Sequence, residues 1–153
     1  MNKLPDNVID FFHKQSFVIV SSLDADGSIH ASCKDIVKIS QDGRIYLFDL
    51  YQGRTLENLK RNPTITITAV DEHKFQGFCL KGRAKIVKSN KLKTLIMRAW
   101  EKKITQRIAR RLIKNIGGEQ GHPRHPEARL PKPERLIVME AERVIDLTPA
   151  HLK

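Results

Sequence analysis

At 153 residues the chain is the length of one ordinary domain, and 40% hydrophobic with 29% charged residues is the balance of a globular fold rather than a disordered or fibrous one. Its two cysteines, Cys33 and Cys79, lie inside apolar runs and form no C-x-x-C pair, which argues against a disulfide framework or a cysteine zinc site and fits a reducing compartment. The formal net charge of +11 brings polyanions into consideration as partners, although charge alone supplies only unspecific attraction.

The start, Met1-Asn2-Lys3-Leu4-Pro5-Asp6, lacks the apolar core of a signal peptide, and no run approaches the roughly 20 apolar residues of a membrane span. A single cytoplasmic domain over residues 1–153, with no membrane span, is the expectation. Pro5 to His13 predicts a short helix whose Val8, Ile9, Phe11 and Phe12 make an apolar face. Phe17 to Leu23 is rich in strand formers and ends at Asp26-Gly27, a tight-turn pair. Ser28 to Ser40 is therefore expected to return as its hairpin partner. Asp42-Gly43 repeats the turn chemistry before a third strand, Arg44 to Asp49.

That strand runs through Gly53 into a short helix, Thr55 to Arg61, which must stop near Asn62 because Pro63 disfavours a helical residue before it. The first amides of a helix lack intrahelical partners and lie at the positive end of its dipole, so Arg54 and Thr55 at this start could complete an anion site. A phosphorylated ligand is one reading; an ordinary exposed helix start, capped by threonine, is the other.

Thr64 to Val70 alternates threonine with apolar residues at period two, a strand with one buried face. Phe75 to Lys88 reads as one long strand bent at Gly82. From about 90 to 116 apolar residues recur at spacings of three and four, giving one amphipathic helix or two, and a proline-rich connection follows at about 117–133. One or two final strands occupy Leu136 to Leu147. Six or seven strands in a hairpin rhythm, with helices at the edges, predict a mainly β fold, a small antiparallel barrel.

This order of elements, with Ala31-Ser32-Cys33-Lys34-Asp35-Ile36-Val37-Lys38, Gly53-Arg54-Thr55-Leu56-Glu57-Asn58-Leu59-Lys60-Arg61-Asn62-Pro63 and Leu80-Lys81-Gly82-Arg83-Ala84, resembles the pyridoxamine 5'-phosphate oxidase-like, FMN-binding split-barrel family. The resemblance covers roughly Phe17 to Val87. It implies a split-barrel homodimer with FMN between two barrels, acting as an oxidoreductase, a reductase or oxidase of an unassigned small molecule. In that scheme Arg54 and Thr55 match the phosphate-binding pair, supported by Asn58, and Lys34 falls near the basic residue of the preceding strand. Asp35, Ile36 and Val37 run beside the ribityl chain and flavin ring, Phe48 and Asp49 end the strand feeding the phosphate loop, and Gln76 and Lys81 lie on the flavin-facing strand. The arginine- and histidine-containing substrate motif of true pyridoxamine phosphate oxidases has no counterpart in Leu136 to Lys153, which speaks against vitamin B6 oxidation. The non-enzymatic alternative is a flavin- or haem-binding module, or a polyanion binder.

Several residues carry plainer readings. Lys34 could be a solvated strand lysine. Asp35 and Asp49 fall on different predicted strands, with nothing in the spacing to pair them as acid and base. His122 and His125 lack a third ligand, so no metal is expected. Trp100 is expected to pack the long helix onto the barrel or a partner. The run Lys102, Lys103, Arg107, Arg110, Arg111 and Lys114 is either a solvated helix face or a contact for RNA, DNA or anionic lipid, nucleic acid not being the expected partner.

Overall fold

The computed structural model describes residues 3–49, 53–88, 90, 94–124 and 134–153. Leu50, Tyr51 and Gln52 of the strand-to-helix turn, Leu92, and most of the proline-rich connection, His125 included, lie outside the described residues. In chain order the elements are α1 (Asp6–His13), β1 (Val18–Leu23), β2 (Ile29–Lys34), β3 (Ile36–Ile39), β4 (Arg44–Phe48), α2 (Arg54–Arg61), β5 (Thr64–Asp71), β6 (Gln76–Lys88), α3 (Thr94–Ile116) and β7 (Arg135–Asp146), closed by a 3₁₀ turn at Ala150–Leu152.

The seven strands form one antiparallel sheet in the order β2-β1-β5-β6-β7-β4-β3, curled into a split barrel. Both Asp-Gly turns fold as expected, with Gly27 at φ 84° and Gly43 at φ 83°, values that glycine reaches without a Cβ penalty. The apolar alternation then fills the interior: Val20, Ile45, Leu47, Ile65, Ile67, Leu80, Ile137 and Met139 are almost wholly buried. α1 joins them, with Phe11 set edge-on against Phe78 at 5.1 Å. A second apolar cluster lies where α3 meets the sheet, joining Val37, Phe48 and Leu136 to Ile96, Ala99 and Trp100. Trp100 stacks on Phe48 at 5.3 Å between ring centres, the packing role expected of it.

The predicted hairpin partner Ser28–Ser40 is not one strand. It breaks at Asp35, so four strands rather than three precede α2. β2 pairs with β1 at one edge of the sheet and β3 pairs with β4 at the other. No glycine or proline announces the break; what holds it is the Asp35 carboxylate, taken by two cations from α3, and the Asp35 carbonyl, which accepts the Phe48 amide at 3.1 Å.

Elsewhere the open choices resolve simply: among the described residues α3 is one helix and the C-terminal strand is one, β7. The bend in β6 falls where expected, as a register shift against β7 between Lys81 and Gly82. A Cβ on Gly82 would collide with the Glu140 carbonyl oxygen, so the two strands meet closely only because glycine stands there. No described helix is long and apolar enough to cross a membrane.

Candidate cofactor site

α2 begins at Arg54, directly after Gly53, which occupies the cap position and places no side chain on the first amides. Threonine is therefore not the cap. Thr55 lies inside the helix, 2% exposed, with its hydroxyl 3.0 Å from that of Ser32 on β2. The Arg54 side chain is 64% exposed and reaches Asp24 in the β1–β2 turn at 3.5 Å. A Cβ on Gly53 would meet nothing within 4 Å, so the approach to these amides is open among the described residues.

One turn on, Asn58 is buried, and its amide nitrogen donates to Ser22 Oγ at 3.1 Å and Asp24 Oδ1 at 2.8 Å. Arg61 in turn donates to Asn58 Oδ1 and to the Leu23 carbonyl. Asn58 thus fixes α2 on the hairpin. Asp26, in the same turn, is held below the ordinary carboxylate range chiefly by the Ser28 hydroxyl, then by the Ser28 amide, with a smaller pull from Arg54.

Beside this seat Lys34 ends β2 and Asp49 follows β4. Lys34 Nζ lies 3.2 Å from Asp49 Oδ1, with the two side chains 9% and 3% exposed. Lys34 is not a solvated strand lysine. The other oxygen, Asp49 Oδ2, is buried and has no hydrogen-bond partner among the described residues. A buried carboxylate oxygen without a donor costs free energy, and a ligand hydroxyl or N–H would satisfy it.

Asp35 turns the other way. Its two oxygens pair with Lys103 Nζ and Arg107 Nη1, each at 2.6 Å, and Lys103 also donates to the Ile36 carbonyl. Ile36 belongs to the barrel interior and Val37 to the α3 cluster. The backbone of this corner is thus partly taken by α3.

The strand β6 separates the remaining two. The row Ser32, Val20, Ile67 and Leu80 faces inward, whereas Lys81 pairs with Thr66 on the outer face and is exposed; Gln76 stands at the far end of β6, five residues away. One chain therefore brings together Lys34 with Asp49, Thr55 with Ser32 and Arg54 with Asn58 through Asp24, but not Gln76 or Lys81. Sequence reasoning missed Ser32, although it shares a face with Lys34 by period two, and missed Asp24, read only as part of a turn. His122, free of any predicted role, accepts the Arg124 amide at Nδ1, 3.1 Å away.

These residues fit a phosphate ester carried on a hydroxylated chain: a cation and uncapped amides for the phosphate, a buried acceptor for a hydroxyl. A family model described as pyridoxamine 5'-phosphate oxidase matches residues 4–148. HupZ of Group A Streptococcus superposes with a TM-score of 0.64 at 18% identity, over 95% of this chain and 94% of that one. A Clostridium acetobutylicum protein related to general stress protein 26 of B. subtilis, of the pyridoxinephosphate oxidase family, gives 0.57 at 17% identity over 97% and 96%. HutZ, the haem storage protein of Vibrio cholerae, gives 0.54 at 17% identity over 94% of each chain. No curated protein matches the chain significantly.

Proposed function

The chain belongs to the pyridoxamine 5'-phosphate oxidase family, and on that premise we propose that it is an FMN-binding oxidoreductase acting on a small molecule. The observation that carries this reading is the seat itself: an exposed Arg54 on a helix start whose cap residue is glycine, beside a buried Lys34–Asp49 pair that leaves one carboxylate oxygen without a donor among the described residues. Arg54 and the first amides of α2 would hold the phosphate, with Thr55 kept in line by Ser32. Asp49 Oδ2 would accept from a ribityl hydroxyl, and Lys34 keeps the Asp49 charge neutralised in the buried site. When bound, FMN supplies two-electron redox chemistry; the protein need only bind it, orient it and exclude water.

Lys81 and Gln76 cannot join the seat from the same chain, because Lys81 lies on the opposite sheet face and Gln76 at a distant strand end. A second copy presenting its outer sheet face would supply Lys81, in keeping with the homodimer that the family resemblance implies, with the ligand between two barrels. The purified protein is then expected to carry, or to take up from added FMN, a flavin absorption spectrum that NADH or NADPH bleaches. A protein that FMN cannot reconstitute would sink the proposal, and bound flavin that no donor reduces would make it a carrier. A second reading follows from the likeness to HutZ, a haem storage protein: haem binding without redox turnover, seen as a Soret band on haemin titration.

A further inference from the structure

We propose that the C-terminal half of α3 and the segment preceding β1 form a second anion site, which takes a phosphorylated small molecule. An open cavity of about 380 Å³ lies there, a volume suited to a ligand of mononucleotide size. Its wall joins Ser16 and Phe17 to Arg107, Arg110, Arg111 and Lys114 of α3, and the chain returning after Gly118 closes it. It shares no lining residue with the seat at α2.

Four cations face this cavity against one carboxylate, Glu119, which already pairs with Lys114 at 3.4 Å. Arg107 and Arg111, and Arg110 and Lys114, stand four residues apart on one helix, a spacing at which like charges repel. The helix dipole favours Lys114 in the last turn, and an anion in the hollow would lower the remaining repulsion along this face, Arg110 above all. Arginine forks match the oxygens of a phosphate group.

The wall is also built rather than loose. Arg107 donates to the Asp35 carboxylate at 2.6 Å and to the Ser16 carbonyl at 2.7 Å, and its guanidinium sits 4.5 Å from the centre of the Phe17 ring. The return after α3 is tied back by the Glu119 amide on the Lys114 carbonyl and the Gly121 amide on Asn115 Oδ1. Arg110 is exposed and has no hydrogen bond or ion pair among the described residues, so its guanidinium is available. The half-exposed Phe17 ring offers an organic moiety an apolar surface that inorganic phosphate would not use. A polymer is disfavoured because Lys103 and Arg107 are drawn onto Asp35, which interrupts the basic run as a continuous track.

The experiment titrates AMP, adenosine and a single-stranded 20-mer oligonucleotide into the intact protein, the Arg54→Ala variant and the Arg110→Glu/Lys114→Glu double variant, by calorimetry at low salt. Both reversed residues are exposed, and equal melting temperatures check that the fold is kept. Expected are AMP binding at least tenfold tighter than adenosine, unchanged in Arg54→Ala and weakened tenfold or more in the double variant. Equal affinity for AMP and adenosine, AMP binding unaffected by the double reversal, or binding of the oligonucleotide with no response to AMP would each overturn the proposal.

Discussion

The ion pair between Lys34 and Asp49 decides whether the seat is part of the fold before any ligand arrives. Lys34 Nζ is the one donor that Asp49 has among the described residues, and the side chains are 9% and 3% exposed. Lys34→Met would strand a carboxylate in the protein interior, and removing one partner of a buried pair costs about 3–5 kcal/mol. For a chain near 150 residues each kcal/mol moves the melting temperature by about 2–4 °C, so a drop of about 6–20 °C is expected. Lys34→Met/Asp49→Asn, which removes the charge as well as its partner, should recover much of that loss, and the coupling is read from the double-mutant cycle. The exposed pair Arg44–Asp42, with side chains 51% and 47% exposed, serves as control: Arg44→Met should cost below about 1 kcal/mol. The assay is thermal unfolding without FMN, since a ligand bound to the native state would add its own stability. A Lys34→Met melting temperature within about 2 °C of the parent would refute the reasoning and return Lys34 to the solvent.

Arg54→Ala should weaken FMN by about ten- to a hundredfold, the worth of one charge-assisted hydrogen bond, while leaving riboflavin unchanged; equal losses for both ligands would remove the phosphate from α2. Trp100 is the chain's single tryptophan and stacks on Phe48, the residue before Asp49, so saturation with FMN should quench its fluorescence; unchanged emission would place the flavin elsewhere. Asp35→Asn should loosen α3, seen as faster amide exchange along Thr94–Ile116 with β5 and β6 unaffected. Gly82→Ala should destabilise by about 1–3 kcal/mol, because its Cβ meets the backbone of Glu140, which cannot move aside as a side chain could.

The parts of the fold written in local chemistry could be read from the residues. Period-two runs such as Thr64–Val70, the turns at Gly27 and Gly43, and the bend at Gly82 each express a constraint carried by a few neighbouring residues. The break at Asp35 could not be read that way, because its cause lies some seventy residues further on, in Lys103 and Arg107. The seat divides along the same line. Arg54 and Thr55 follow from helix-start geometry, but the partners that orient them, Asp24 and Ser32, come from a hairpin whose contact with α2 no spacing reveals. Asn58, given a supporting role by resemblance, turns out to hold the helix through Ser22 and Asp24.

The basic face of α3, a single feature in the sequence, is two in the structure, and the division explains how a chain of net charge +11 can use its cations without dispersing them. Lys103 and Arg107 balance Asp35, and Lys103 covers the Ile36 carbonyl, so these two act as structure. Three residues beyond Arg107, Arg110 has no such partner among the described residues, where Lys114 holds one exposed carboxylate. Arg107 belongs to both groups, since it joins the cavity wall to the residue next to Lys34. An anion that drew Arg107 toward the cavity would weaken its hold on Asp35, the residue that sets where β2 ends and Lys34 meets Asp49. Energetic coupling between the two sites has a physical route through that carboxylate, and Asp35→Asn would cut it by releasing Arg107, together with the hold of α3 on this corner.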